Sequence, residues 1–233
     1  CGSVVDGPWR RLAHTPLPAY WRANVAAPLR LDIWIGLPES QHPLVATIYA
    51  AKAGARPASP AQFYQDLATP GTLARKTFTS PRGLHAVSAM NGTAARSMSI
   101  VSIGGIGSAA SLAKFYAMLA NGGEMDGRRY FEKKTIVQMT TMLTSGVDRV
   151  FQIPTAFSAG FMKDPLDARR RIFGPSALAF GHPGAGGSHA LADPENGIAF
   201  AYVMNQMEQS LLPNEKSLRL VDAIYVTAIR PSR

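Results

Sequence analysis

Apolar residues recur at helical spacing in four places along the chain. Over residues 19–29, Tyr20, Trp21, Val25 and Leu29 share a face, and Pro28 marks the expected stop. Over 108–121, Ser108 is a cap, Leu112, Phe115, Tyr116 and Leu119 form the apolar stripe, and Gly122-Gly123 end it. A further helix is expected over 133–142. Another is expected over 214–229, where Asn214 caps a face of Leu218, Val221, Ile224, Tyr225 and Ala228.

Other stretches read as extended. Residues 31–38 are an apolar run closed by Gly36 and Pro38. Residues 160–162 suit a short strand. The runs 186–192 and 198–205 flank Asp193-Pro194-Glu195-Asn196-Gly197, which predicts a hairpin. Met125-Asp126-Gly127-Arg128 is a turn. Residues 51–105 are broken by prolines and glycines into a long irregular excursion, with a short helix expected over 60–67. The order predicts an α+β fold in which helices cover an antiparallel sheet. Residues 1–150 form its helical and irregular region, and residues 151–233 carry the hairpin and the closing helix.

Composition narrows this picture slightly. No run of 18 apolar residues is present, so no membrane-spanning helix is expected. The net charge is +9, but Arg128-Arg129, Lys133-Lys134 and Arg169-Arg170-Arg171 are scattered and lack interleaved aromatics. A basic solvated surface is favoured over a nucleic-acid or membrane site. The single cysteine, Cys1, rules out an intramolecular disulfide. Read as a lipoprotein terminus, Cys1-Gly2-Ser3 would need a leader that the chain does not show, and a cytoplasmic location is the expectation.

Candidate chemistry concentrates in Phe180-Gly181-His182-Pro183-Gly184-Ala185-Gly186-Gly187-Ser188, followed by Ala199 through Gln206. Together with Gly104-Gly105-Ile106-Gly107-Ser108-Ala109, Leu119-Ala120-Asn121-Gly122-Gly123 and the segment at 26–38, this resembles the serine hydrolases of the β-lactamase fold. The likeness is to the C-terminal part of the β-lactamase-like esterases, whose third motif is a Lys-Thr-Gly or His-x-Gly. Three collinear matches carry far more weight than a lone His-x-Gly.

The resemblance implies that His182 faces a cleft and donates to a substrate carboxylate or to catalytic hydroxyls. It implies that the Ala185 N–H supplies half of an oxyanion hole. It makes Pro183, Gly184, Gly186 and Gly187 substrate-binding positions, and it places the motif on an edge strand, where Pro183 is tolerable. An imidazole is mostly neutral at pH 7, so His in place of Lys tilts the expectation toward esters over β-lactams. No metal or organic cofactor is implied, and the expected partner is a small-molecule ester or amide.

The family's Ser-x-x-Lys nucleophile motif and its Tyr-x-Asn or Tyr-x-Ser are not found in their expected places. Ser111-Leu112-Ala113-Lys114 is the one Ser-x-x-Lys, but it falls inside the expected 108–121 helix and reads as a decoy. The expectation is a chain truncated at its N-terminus, with both motifs ahead of Cys1 and the chain alone inactive. The alternatives are a non-catalytic binding or scaffold relative and a β-lactamase or penicillin-binding type of enzyme. His14, His42, His85 and His189 are expected on the surface or in packing.

Overall fold

The computed structural model describes Trp9 and residues 11–52, 61–80 and 86–228. His85, the Ala- and Pro-rich stretch before residue 61 and the first seven residues lie outside the described part.

Helix α1 (Leu17–Trp21) runs into a π-helical turn, Arg22–Ala26, so the stretch expected as one helix changes pitch midway. Strand β1 (Ile33–Ile35) then pairs antiparallel with β2 (Gly105–Gly107). Between them, among the described residues, lie a 3₁₀ segment, Glu39–Leu44, and four short helices: α2 (Ala61–Ala68), α3 (Leu73–Phe78), α4 (Val87–Met90) and α5 (Thr93–Ser97). The excursion is thus more helical than its prolines suggested.

Helix α6 (Ala109–Ala120) begins where expected, with the Ser108 hydroxyl accepting from the Ser111 N–H. The ribbon β3 (Glu124–Met125) and β4 (Arg128–Arg129) follows, with Asp126 and Gly127 at positive φ. Helix α7 is Lys133–Thr140.

The main sheet has six antiparallel strands: β5 (Met142–Val147), β6 (Pro154–Ser158), β7 (Met162–Lys163), β8 (Phe180–Pro183), β9 (His189–Asp193) and β10 (Ile198–Tyr202), in the order β10-β9-β8-β7-β6-β5. Two expectations are corrected here. The sheet starts at residue 142, earlier than the sequence pattern showed. The His182 strand, β8, is interior: β9 flanks it along its length, and β7 joins it at Met162 and Gly181. Pro183 is still accommodated, because pairing with β7 stops at Gly181 and leaves it a neighbour on one side only.

Helices cover both faces. On one, Phe180, Ala190 and Ala192 pack with Tyr116 and Leu119 of α6 and with Val25 and Leu29. On the other, Met162, Leu191 and Ile198 pack with Phe173 and with Val221 of α8 (Glu215–Ala228). All five residues of β9 are buried, as a strand covered on both sides requires. Helix α8 is capped by Asn214, whose Oδ1 accepts from the Ser217 N–H. At the hairpin turn the fully buried Asp193 accepts from the Glu195 and Asn196 N–H groups, from Asn196 Nδ2 and from the Tyr225 hydroxyl at 2.8 Å. That last bond ties the turn to α8.

Candidate active site

Strand β8 alternates faces with the pleat. Phe180 is in the α6-side core, and Gly181 turns to the other side, where a Cβ would run into Phe173 and the Ala190 carbonyl. His182 then shares the α6 side with its cross-strand partner Ala190, yet its side chain is exposed. Its Nδ1 lies 2.7 Å from the Pro183 carbonyl. A carbonyl only accepts, so Nδ1 carries the proton and the neutral ring offers Nε2 as an acceptor. In that tautomer Nε2 accepts from a hydroxyl, and Nε2 donates only when the ring is protonated.

The backbone after Pro183 closes a tight turn. The Gly184 N–H donates to the Ser188 carbonyl at 2.7 Å, and the Gly187 N–H donates back to the Gly184 carbonyl at 3.1 Å. Between them Ala185 is exposed, and its N–H has no acceptor among the described residues.

Gly186 and Gly187 are buried, with φ of +90° and +120°. A Cβ on Gly186 would stand 2.6 Å from Met207, and one on Gly187 would strike the Asn214 amide. The Gly186 N–H donates to the Ser210 carbonyl, and the Gly186 carbonyl accepts from the Glu208 N–H. Both glycines face the 207–214 segment. They set the turn's shape and its packing against that segment. Gly184 has an ordinary φ, and its missing Cβ would sit 3.2 Å from Ser188 Cβ. Its smallness serves this turn as well.

One end of the same turn opens on a cavity of about 510 Å³. Ser188 lines it, whereas His182, Pro183, Gly184 and Ala185 do not. Its floor is the β1–β2 pair: Asp32, Trp34, Leu37 and the 104–108 strand segment, the stretches that carried the sequence resemblance. Trp34 Nε1 donates to Asp32 Oδ1 at 2.9 Å, and the Arg22 guanidinium lies 4.1 Å over the Trp34 ring. The opposite wall comes from the 3₁₀ segment, α4 and α5. The sequence marked residues 51–105 as an irregular excursion of the kind that covers a site, but the enclosure itself depends on β1 meeting β2 across some seventy residues.

Ser111 behaves as a structural group. It is buried, its hydroxyl accepts from the Asp32 N–H at 2.8 Å, and the Lys114 ammonium pairs with Asp126 at 3.3 Å. The Ser-x-x-Lys spacing there fastens α6 to β1 on one side and to the β3–β4 turn on the other.

His42 lies 3.1 Å from the carbonyl of the cavity-lining Leu37 and is not itself part of the lining. His189 is fully buried between Phe173 and Phe200, with ring centroids 5.7 and 6.0 Å away and neither nitrogen hydrogen-bonded. Burial pushes its pKa down to about 4. On β7–β8, burial raises the Asp164 pKa although the Ile172 and Phe173 N–H groups donate to it, and burial lowers that of Lys163, which donates to the Ala179 carbonyl. No cluster of metal-ligating side chains occurs among the described residues. None of their helices is long and apolar enough to cross a membrane.

Comparison with known proteins places this geometry. The chain is similar to a novel penicillin-binding protein homologue from Caulobacter crescentus, at 33% identity and a TM-score of 0.80, over 97% of this chain and 56% of that one. It is similar to a family VIII carboxylesterase, at 28% identity and a TM-score of 0.77, over 96% and 55% of the two chains. The esterase/beta-lactamase LipL of Mycobacterium tuberculosis is 35% identical over 109 residues, which are 46% of this chain and 24% of that protein. The chain thus spans little more than half of these solved relatives and about a quarter of LipL. Residues 8–223 match the family described as Beta-lactamase, and the chain belongs to that family.

Proposed function

We propose that the polypeptide of which this chain forms the wall hydrolyses small-molecule esters through an acyl-serine intermediate. The observation that carries the reading is the Ala185 N–H, in the turn that follows β8, which has no acceptor among the described residues. An N–H group held by a rigid turn and left without an acceptor is what a developing oxyanion needs.

His182 Nε2 takes the role of proton acceptor near the nucleophile. The nucleophile and its activating lysine are assigned to polypeptide beyond this chain, in keeping with the chain's share of its solved relatives. Ester substrates are favoured over β-lactams because an imidazole, unlike a lysine ammonium, is no fixed cation for a carboxylate. The name of the carboxylesterase relative agrees with this choice, and that of LipL covers both activities.

The test compares the present chain with a version extended to the length of the relatives. The chain alone should take no label from a fluorophosphonate probe. The extended protein should be labelled stoichiometrically and should hydrolyse p-nitrophenyl butyrate. His182→Ala in the extended protein should lower kcat/KM by about 10² to 10⁴, with Tm unchanged. An extended protein that binds ester without turnover would overturn the proposal.

A further inference from the structure

The direction of the Ala185 N–H is set by its peptide plane. The same plane carries the Gly184 carbonyl, which accepts from the Gly187 N–H at 3.1 Å. In a trans peptide the carbonyl oxygen and the N–H point opposite ways. With the carbonyl turned in toward Gly187, the Ala185 N–H points out of the turn. Its aim therefore depends on the turn staying closed. Ala185 is second in that turn and Gly186 third, and the Gly186 φ of +90° is the positive value that the third position of a type II turn takes.

Gly186 is held from outside the turn. Its N–H donates to the Ser210 carbonyl at 2.9 Å, and its carbonyl accepts from the Glu208 N–H at 3.0 Å. The Met207 side chain lies along its bare face: a Cβ there would stand 2.6, 2.8 and 2.9 Å from Met207 Cε, Cγ and Cβ. The 207–210 segment is itself anchored on two sides. The Met207 N–H donates to the Tyr49 carbonyl at 2.9 Å, and Glu208 pairs with Lys216 of α8. Met207 is half-buried and belongs to neither of the apolar cores that join sheet and helices. Its contact with Gly186 serves the turn.

We propose that Met207 is a positioning residue for ester hydrolysis: by lying on Gly186 it keeps the turn closed and the Ala185 N–H aimed outward. The assignment rests on the ester-hydrolase reading above. Shortening the side chain would leave Gly186 its two backbone bonds but open a space beside it, and a glycine has many backbone conformations with which to use that space. An N–H that swings stabilises an oxyanion less well than one held in place, because the donor's value lies in its preorganisation.

Two measurements test this, one of them without catalysis. In the present chain, amide hydrogen exchange followed by NMR should find Gly186 and Gly187 protected and Ala185 unprotected. Met207→Ala should speed exchange at Gly187 by about tenfold or more while the β9 amides keep their protection. Met207→Leu, which refills the space, should recover most of the protection. In the extended protein, Met207→Ala should lower kcat for p-nitrophenyl butyrate by about 10- to 100-fold with KM within about twofold, since the oxyanion bond strengthens only in the transition state. Met207→Leu should recover most of that loss.

Exchange at Gly187 that Met207→Ala leaves unchanged overturns the proposal. So does exchange that rises equally in β9, which would mean a general loosening of the fold. A raised KM with kcat unchanged overturns it as well, since Met207 would then act in binding. Faster exchange confined to the turn, with a fall in kcat that leucine restores, supports it. An extended protein that turns over no ester removes the hydrolase reading, and the exchange measurement alone then decides whether Met207 holds the turn.

Discussion

Replacing His189 with leucine should remove an acid-sensitive weakness from the fold. In an unfolded chain the imidazole has a pKa of about 6.5, and in the folded chain burial holds it down at about 4. Between those values the unfolded chain binds a proton that the folded chain refuses, so stability falls as pH falls through that window. Integrating the two titrations gives a loss of about 2 kcal/mol by pH 5, approaching about 3.4 kcal/mol once the pH is below both pKa values. The residue is 1% exposed, so solvent does little to relieve the cost.

His189→Leu has no proton to gain. At pH 7.5 the variant should match the parent within about 1 kcal/mol, because the lost ring contacts with Phe173 and Phe200 are offset by no longer burying two unpaired nitrogens. At pH 5 it should be about 2 kcal/mol the more stable. Urea unfolding followed by tryptophan emission reads this directly. With an m-value of about 3 kcal/mol/M, the midpoint gap between the two proteins should widen by roughly 0.7 M between pH 7.5 and pH 5. The raised Asp164 pKa acts in the opposite direction, since a carboxyl that protonates more readily when folded gains stability as pH falls. It is common to both proteins and cancels in the difference. Midpoints that fall in parallel would show that His189 does not stay neutral in the folded chain, and the reasoning would fail.

Three further outcomes are expected. Ser111→Ala should cost about 1–3 kcal/mol by stranding the Asp32 N–H, measured by urea unfolding, and should leave fluorophosphonate labelling of the extended protein unchanged. Tyr225→Phe removes a bond to the Asp193 carboxylate and should cost about 1.5–3 kcal/mol by the same assay, with Asp193→Ala worse because the turn N–H groups lose their acceptor as well. Gly187→Ala combines a φ of +120° with a collision at Asn214 and should lower Tm well beyond Gly197→Ala, whose Cβ meets only open space.

What the sequence made legible was local. The caps at Ser108 and Asn214, the Asp-Gly turn of β3–β4 and the hairpin turn after Asp193 are each set by a few neighbouring residues, and each lies where its pattern points. The strands β5 and β6 were hidden because β5 is mostly solvent-exposed, with Thr144, Ser145 and Gly146 at its centre, and β6 opens on Pro154. Neither shows alternation. The interior place of β8 was hidden because it depends on β5–β7 extending the sheet on that side, a long-range pairing that no residue of β8 announces. In the glycine-rich run, composition could not distinguish Ala185, left open, from Gly186 and Gly187, turned inward to Met207 and Asn214. That depends on φ and on a segment some twenty residues downstream.

The bond from Tyr225 to Asp193 has a consequence for how the chain is made. The two residues are 32 apart, and the hairpin emerges from synthesis before the helix that completes it. Until α8 arrives, the Asp193 carboxylate has only the turn's own N–H groups for partners, and the faces of Met162, Leu191 and Ile198 stand open to water. A nascent chain stalled before Tyr225 therefore holds a sheet lacking one of its two covers, with a carboxylate sunk at its rim. Docking of α8 supplies both the cover of this sheet face and the last partner of the Asp193 carboxylate.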